Sequence, residues 1–244
     1  MKEQLLQKIQ DRSAVVAVVG LGYVGLPLAV AFAEQGFPVV GVDVDPRKVD
    51  ALHRGESYVQ DISSERLARV TVAGRRVEGS KVEGWKVAEP NFQPATLNLQ
   101  PGRLVATTDY AALAHCDAAI ICVPTPLNKT RDPDVRFLIA AGESAAQHIH
   151  PGMLIVLEST TYPGTTEELL LPMLTAPSVL ERLGVRQFAV GQDFFLAFSP
   201  ERIDPGRLDY MVENTPKVVG GTTPACLEVA TALYGAAIQR IVPV

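Results

Sequence analysis

Short apolar runs alternate with longer amphipathic stretches along most of this chain. The runs that predict β-strands are residues 15–19, 38–42, 104–107, 118–123, 153–157, 195–199, 217–219 and 238–242. Between them, helical spacing is found at about residues 24–35, 110–115, 134–149 and 224–234. Strands that alternate with helices are typical of a parallel sheet covered on both faces. The pattern therefore predicts an α/β fold with a doubly wound, mostly parallel sheet.

Two further helix starts carry capping signals. Asp45 and Pro46 predict an N-cap and a first helical residue, and Gly55 predicts the end of that helix. Thr165 and Glu168, ahead of three leucines, have the spacing of a capping box. We expect a helix to begin at each of these signals.

The periodicity fails between residues 70 and 102. Glycines, prolines and charged residues are mixed there, and the segment holds the only tryptophan, Trp85. We expect an insertion or a short hairpin at the edge of the sheet. We interpret residues 1–244 as one domain that contains this insertion.

A glycine-rich turn follows the first predicted strand. The sequence VVAVVGLGYVGLPLAVAFAEQG places Gly20, Gly22 and Gly25 as G-x-G-x-x-G between a strand and a helix. Gly20 permits the tight turn, Gly22 lets the backbone approach a pyrophosphate, and Gly25 lets the helix pack on the sheet. Together with Tyr23 and Val24, the turn presents unpaired N–H groups and the positive end of a helix dipole to phosphates. It predicts the dinucleotide site of a Rossmann-like domain.

An acidic residue completes this fingerprint. Asp43 ends the second predicted strand, 18 positions after Gly25. Such an acid accepts hydrogen bonds from both ribose hydroxyls and repels a 2′-phosphate, so the expected cofactor is NAD rather than NADP. Lys48, one turn into the next helix, could also reach the adenosine ribose. The alternative is a strand–turn–helix whose glycines only turn a corner.

Composition and charge narrow the function classes. Apolar residues make up 47% and charged residues 20% of the 244 residues, which suits a well-buried core. The net charge of −5 argues against a nucleic-acid-binding protein, which usually presents a basic face. No apolar stretch reaches the roughly 18 residues that span a bilayer, and no secretory signal precedes the first strand. The three cysteines have no metal-ligand spacing, and their odd number favours the cytoplasm.

Polar residues follow three more predicted strands. These groups are Val123-Pro124-Thr125 after the fourth strand, Glu158-Ser159-Thr160 after the fifth and Glu201-Arg202 after the sixth. Ligands of open α/β sheets lie beyond the carboxyl ends of the strands, so these residues are candidates for the nicotinamide end of the site. Each group also has a simpler explanation: a rigid proline loop, turn residues that bond their own backbone, or a surface ion pair.

Taken together, these segments resemble the N-terminal part of the UDP-glucose/GDP-mannose dehydrogenase family, the nucleotide-sugar 6-dehydrogenases. The matching segments are GLGYVGLPLA, GVDVDPRKV, CVPTP, ESTTYPGTT, FSPERIDPG and TPKVVGG, which span nearly the whole chain outside residues 70–102. VPTPLNKTRDPD, ESTTYPGTTEE and SPERIDPG are most similar to the branch acting on UDP-N-acetyl-hexosamines. Members acting on UDP-glucose typically carry a lysine in place of Glu158.

The resemblance implies a two-step oxidation that uses two NAD. The C6 alcohol of a UDP-sugar becomes an aldehyde, a cysteine traps it as a thiohemiacetal, and hydrolysis of the resulting thioester releases a uronic acid. By motif position, Thr160 holds the catalytic water and Glu201 is the acid/base partner in that hydrolysis.

The same resemblance implies the binding residues. Those implied for the nicotinamide and its ribose are Val123, Pro124, Thr125 and Ser159. Those implied for the sugar-binding loop, acting largely through backbone groups, are Arg202, Ile203, Asp204 and Gly206.

One part of the family pattern has no counterpart in these 244 residues. The nucleophilic cysteine of the family lies in a G-x-G-G-x-C-x-P loop, preceded by a central helical stretch, and neither is found in the sequence. We therefore expect the chain to be the NAD-binding domain of a longer enzyme, which binds NAD but does not complete the oxidation alone. The full-length enzyme is expected to be a homo-oligomer; the state of this piece is open.

Three other functions stay open. The first is a UDP-glucose 6-dehydrogenase. The second is a β-hydroxyacid dehydrogenase, which shares the glycine-rich start but lacks the PTP, STT and SPER segments in this order. The third is a non-catalytic NAD-binding module, which the missing cysteine favours and the presence of Thr160 and Glu201 disfavours. The sequence does not distinguish UDP-N-acetylglucosamine from UDP-N-acetylmannosamine.

Overall fold

An eight-stranded sheet organises the residues that the computed structural model describes, which are 1–71, 99–126, 133–201 and 212–244. The strands are β1 (Val16–Val19), β2 (Val39–Val42), β3 (Leu104–Thr107), β4 (Ala118–Ile121), β5 (Leu154–Leu157), β6 (Phe195–Phe198), β7 (Lys217–Gly221) and β8 (Ile241–Pro243). Their order across the sheet is β3-β2-β1-β4-β5-β6-β7-β8. Neighbouring strands are parallel, except that β6 and β7 are antiparallel. The predicted doubly wound, mostly parallel sheet is confirmed.

Helices connect most of the strands. They are α1 (Lys2–Gln10), α2 (Gly25–Glu34), α3 (Pro46–His53), α4 (Ser64–Val70), α5 (Arg136–His148), α6 (Leu171–Leu174), α7 (Pro177–Leu183) and α8 (Pro224–Gly235). A 3-10 helix covers Tyr110–His115, and π-helical turns over Thr165–Leu170 lead into α6. In the described part of the chain, no helix is long and apolar enough to cross a membrane.

Both faces of the sheet are buried. Val16 and Val18 of β1 pack on the face that is covered by α1, α2 and α8, whereas Ala17 and Val19 pack on the face covered by α5 and α7. Strands that are covered on both sides need apolar residues at every position, which is why these runs are continuous rather than alternating. The two layers of helices cover the faces of the sheet, and the candidate site lies at its carboxyl edge.

The antiparallel strand β7 changes which residues lie at that edge. Its register pairs Ala197 with Gly221 and Phe198 with Gly220, so β7 starts where β6 ends. The hydroxyl of Ser199 donates to the carbonyl oxygen of Val218 at 2.8 Å and fastens the two strands there. As a result, the first residue of β7, Lys217, lies at the same edge as the last residues of the parallel strands.

The predicted capping box at Thr165 is wrong. Gly164, with a φ of +89°, is the N-cap, so Thr165 is already helical. Its hydroxyl donates back to the carbonyl oxygen of Tyr162 at 2.7 Å instead of accepting from the helix. A left-handed glycine lets the chain turn in one residue, and the helix therefore starts one position earlier, in π-helical turns.

The last strand also starts later than predicted. Ile238 donates its N–H to the carbonyl oxygen of Tyr234 at 2.8 Å, which continues the end of α8, and β8 begins at Ile241. By contrast, the N-cap at Asp45 is confirmed, because its carboxylate accepts from the N–H of Arg47 at 3.0 Å. Most of the predicted insertion lies outside the described residues.

Candidate functional site

The glycine-rich turn between β1 and α2 leaves little room at two of its three glycines. Gly20 has a φ of +93°, and a Cβ there would lie 2.7 Å from the carbonyl oxygen of Cys122. A Cβ on Gly25 would overlap the carbonyl oxygen of Gly20. The turn and the close packing of helix on strand that the sequence predicts are both found.

The third glycine faces open space. A Cβ built at Gly22 would meet no described atom within 4 Å. Helix α2 starts beside it with Val24 as N-cap, and among the described residues no side chain caps its N–H groups. Tyr23 is exposed. Free backbone donors, a helix dipole and an approachable backbone fit the pyrophosphate of a dinucleotide.

Asp43 lies at the end of β2 and is 5% exposed. Its Oδ2 accepts from the N–H of Leu21 and from the ammonium of Lys48, each at 2.8 Å, and its Oδ1 accepts from the N–H of Asp45 at 2.9 Å. A carboxylate has about four acceptor positions, so about one is left for a ribose hydroxyl. The ammonium of Lys48 lies beside that position as a donor.

Two tyrosines lie close enough to this carboxylate to feel its charge, and the sequence did not identify them. The hydroxyl of Tyr58 donates to the carbonyl oxygen of Leu21 at 2.9 Å. Burial raises the pKa of Tyr58, with the charges of Asp43 and Asp45 adding to it. Burial and Asp43 likewise raise the pKa of Tyr110 to about 12. Neither tyrosine belongs to the fingerprint, so only the fold reveals them.

The loops after β4 and β5 are held together by hydroxyl groups. Ser159 is buried, and its hydroxyl donates to the carbonyl oxygen of Val123 at 2.7 Å. The hydroxyl of Thr125 donates to the carbonyl oxygen of Thr160 at 2.6 Å. The side chain of Thr160 is exposed at this edge, as is the ring of Pro124. The structure therefore brings together the predicted residues of these two loops.

A group of buried charges lies next to the two loops. Glu158 is 2% exposed; one of its oxygens accepts from the ammonium of Lys217, and the other accepts from the hydroxyl of Tyr234 at 2.5 Å. The ammonium of Lys217 also lies 3.8 Å from Oε2 of Glu201. Glu158, Lys217, Tyr234 and Glu201 form what we call the buried charge cluster.

Electrostatics fix the charge of most members of the cluster. Burial lowers the pKa of Lys217, but the attraction of Glu158 and Glu201 outweighs it, so the pKa is raised and the amine is a cation. Burial raises the pKa of Tyr234 well above its ordinary value, and Glu158 adds to that shift. Burial does the same to the thiol of Cys122, which faces the cluster from the end of β4.

The sequence missed Lys217 and Tyr234 for a structural reason. Lys217 is the first residue of its strand and does not follow one, and only the reversed direction of β7 brings it to the carboxyl edge. Tyr234 lies near the end of α8, where it belongs to an apolar helix pattern. The available signal was a lysine at the start of the apolar run in TPKVVGG, since a lysine that becomes buried in a strand usually has a charged partner.

Arg202, Ile203, Asp204 and Gly206 lie outside the described residues. Among the residues that are described, no group of three or more histidine, cysteine, aspartate or glutamate side chains could hold a metal ion.

Comparisons with known proteins agree with this geometry. A family model described as the NAD binding domain of the UDP-glucose/GDP-mannose dehydrogenase family matches residues 14–82 and 66–238. The UDP-N-acetyl-D-glucosamine 6-dehydrogenase of Pseudomonas aeruginosa is 35% identical over 90% of this chain and 42% of its own length. The UDP-N-acetyl-D-mannosamine dehydrogenase of Salmonella typhi is 32% identical over 90% of this chain and 44% of its own length.

Solved structures give the same result. A UDP-D-ManNAc dehydrogenase from Pyrococcus horikoshii superimposes with a TM-score of 0.69 at 31% identity, over 94% of this chain and 46% of that one. An NDP-N-acetyl-D-galactosaminuronic acid dehydrogenase from Methanosarcina mazei superimposes with a TM-score of 0.73 at 27% identity, over 99% of this chain and 46% of that one. The chain spans less than half the length of the relatives it matches.

Proposed function

This chain belongs to the UDP-glucose/GDP-mannose dehydrogenase family and contains its NAD-binding domain, and from this premise we propose that it serves an enzyme that oxidises the C6 alcohol of a UDP-N-acetyl-hexosamine to a uronic acid. One observation carries the proposal: the glycine turn, Asp43, Thr160 and Glu201 meet at one edge of the sheet. The names of the Pseudomonas and Salmonella relatives support the class of sugar, either UDP-N-acetylglucosamine or UDP-N-acetylmannosamine.

The chain's own groups would hold the cofactor along the carboxyl edge. The backbone N–H groups from Gly22 to Gly25, at the start of α2, would bind the pyrophosphate, and Asp43 would accept from one hydroxyl of the adenosine ribose. Lys48 donates to the neighbouring ribose oxygen. NAD, when bound, supplies the hydride acceptor for each oxidation. The strand order reverses between β1 and β4, which is where a dinucleotide crosses such a sheet.

At the other end, Thr160 and Glu201 act on the reacting groups. The exposed hydroxyl of Thr160 orients a water molecule. The Glu201 carboxylate takes a proton from that water as its oxygen attacks the acyl carbon, and the thiolate leaves. The hydrogen bonds that Thr125 and Ser159 donate hold the two loops together beside these groups.

The covalent trap would come from outside these 244 residues. Cys116, Cys122 and Cys226 are buried, and burial raises the pKa of the first two thiols, which keeps them protonated. We expect the chain alone to bind NAD without steady formation of NADH. The burial of all three cysteines also favours a second function, a non-catalytic NAD-binding module. Unpaired thiols suit a reducing compartment, so the proposed location is the cytoplasm.

A chimera tests the proposal. This chain would replace the matching 42% of the Pseudomonas relative, so that the relative supplies the remainder. We expect NADH formation from UDP-N-acetylglucosamine or UDP-N-acetylmannosamine. In the chimera with Glu201→Gln, we expect the hydrolysis step to slow by about 100-fold, so that a covalent sugar adduct accumulates and can be weighed by mass spectrometry.

Two results would count against it. A folded chimera that binds NAD and oxidises only UDP-glucose would show that the class of sugar is wrong. A folded chimera that binds NAD and oxidises none of the three sugars would favour the non-catalytic module. Circular dichroism and NAD binding, measured on the same preparation, show whether the chimera is folded.

A further inference from the structure

Lys217 lies between two carboxylates at the carboxyl edge of the sheet. Extending the register of β6 and β7 places Lys217 opposite Glu201. Its ammonium donates to one oxygen of Glu158 and lies 3.8 Å from Oε2 of Glu201. The side chains of Lys217 and Glu201 are 7% and 11% exposed, so little water reaches either charge.

The cluster holds more negative than positive charge. Glu158 and Glu201 are carboxylates, Lys217 is the one cation facing them among the described residues, and Tyr234 and Cys122 stay neutral because burial raises the pKa of both. Two buried carboxylates at one site repel each other and tend to share a proton. The shared ammonium offsets this repulsion and favours the ionised form of both groups.

The two carboxylates bind this ammonium differently. Both oxygens of Glu158 are engaged, one by Lys217 and one by Tyr234. Glu201 is attracted through space, at a distance beyond a hydrogen bond. A proton can thus reach Glu201 without displacing a hydrogen bond from Lys217, whereas a proton on either oxygen of Glu158 would have to displace the donor already bound there.

From this asymmetry we propose that Lys217 is a positioning residue that keeps Glu201 ionised and ready to accept a proton, while Glu158 and Tyr234 hold the ammonium in place. The inference rests on the proposed function in one respect, namely that Glu201 is the acid/base group. Lys217 stays protonated throughout, and the proton that Glu201 accepts comes from the attacking water and is passed back to solvent.

Nuclear magnetic resonance of the chain tests this division of roles. The side-chain carboxyl carbons of glutamate are labelled with ¹³C, and signals are assigned with Glu158→Gln and Glu201→Gln. In Lys217→Met we expect the two carboxyl groups to hold one proton between them at pH 7, seen as an upfield shift that the wild type lacks. Lys217→Arg keeps the cation and should restore the wild-type spectrum.

Two further variants keep the test valid if Lys217→Met does not fold. Glu158→Gln removes the other carboxylate that pairs with the ammonium, and we expect the titration midpoint of Glu201 to fall by about one pH unit. Tyr234→Phe removes a bond to Glu158 without changing any charge, so stability should fall while Glu201 stays ionised at pH 7. Carboxyl signals that are unchanged in folded Lys217→Met, or a Glu201 midpoint that does not move in Glu158→Gln, would overturn the proposal.

Failure of this inference and failure of the proposed function give different results. NAD binding is measured on the same samples, with Asp43→Asn as the comparison variant on the adenosine side. If wild-type chain does not bind NAD, the proposed function fails although the carboxyl titration can still behave as expected. If NAD binds and the carboxyl signals do not change in Lys217→Met, the positioning role is wrong and the cofactor site is still supported.

Discussion

At the scale of single residues, the space around each glycine of the turn indicates whether that glycine serves stability or cofactor binding. Gly25 packs directly on the carbonyl oxygen of Gly20, whereas a Cβ on Gly22 points into open space. The two glycines are three positions apart in one motif, yet Gly25 is expected to serve packing and Gly22 cofactor binding. A matched pair of alanine substitutions distinguishes these two roles.

Gly25→Ala should destabilise the fold, because its Cβ would overlap the Gly20 carbonyl and lie 3.2 Å from a methyl of Val18. We expect a loss of about 3 kcal/mol in the free energy of unfolding. Gly22→Ala should change that free energy by less than about 1 kcal/mol, but weaken NAD binding at least about tenfold because the new methyl group occupies the approach of the pyrophosphate. Urea unfolding and calorimetry measure the two effects. Equal loss of stability in both variants would contradict this assignment.

Residue-level rules also show what the sequence could and could not reveal. Listing the residues that follow parallel strands gives Asp43, Thr160 and Glu201 as candidates, because the fold brings those strand ends to one edge. Lys217 begins an antiparallel strand, so the same rule does not identify it. Its place at this edge depends on a change of strand direction, which apolar periodicity does not encode.

At the scale of elements, local capping chemistry predicted some helix starts and failed at others. The carboxylate of Asp45 caps α3 as expected. At Thr165, a left-handed glycine one position earlier takes over the start, and the hydroxyl turns back to Tyr162. Whether a polar side chain caps a helix depends on the φ of its neighbour, which residue spacing does not specify.

Helix α8 gives a direct test of capping, since it also carries Tyr234. Thr223 is its N-cap and accepts from the N–H of Cys226 at 3.2 Å. Thr223→Ala should lower the free energy of unfolding by about 1 kcal/mol, and Thr223→Ser, which keeps the hydroxyl, by less than half of that. Urea denaturation at neutral pH measures both variants. If the serine variant loses as much as the alanine variant, the hydroxyl is not what stabilises α8.

At the scale of the whole molecule, the sheet separates two electrostatic environments along one edge. Asp43, paired with Lys48 and flanked by Tyr58 and Tyr110, stands at β2. The buried charge cluster stands at the ends of β5 and β6 and the start of β7. The doubly wound topology was predictable from alternating apolar and amphipathic runs, whereas the pairing of charges across the sheet needed the three-dimensional structure.

The tyrosines around Asp43 make stability depend on alkaline pH. The folded chain keeps Tyr110 protonated up to about pH 12, whereas the ordinary value of 10.0 applies once the chain unfolds. Because the folded state then binds more protons, the contribution of Tyr110 to stability is fully present below pH 10, and the free energy of unfolding falls as that contribution is lost between pH 10 and 12. Tyr110→Phe should flatten this fall, and Tyr162→Phe, at an exposed position, should not. Urea unfolding at several alkaline pH values measures the slope. Equal slopes in the wild type and Tyr110→Phe would contradict the prediction.

Calorimetric titration of the chain with NAD, and with NADP for comparison, tests the cofactor site most directly. The carboxylate of Asp43 repels a 2′-phosphate, and its pairing with Lys48 offsets the positive charge of that ammonium. We expect saturable NAD binding, NADP binding at least about tenfold weaker, and a smaller difference between the two in Asp43→Asn, with Asp50→Asn as the matched control. No heat and no thermal stabilisation at millimolar NAD, or equal affinity for NADP, would contradict an NAD site built from the Gly20–Gly25 turn and Asp43.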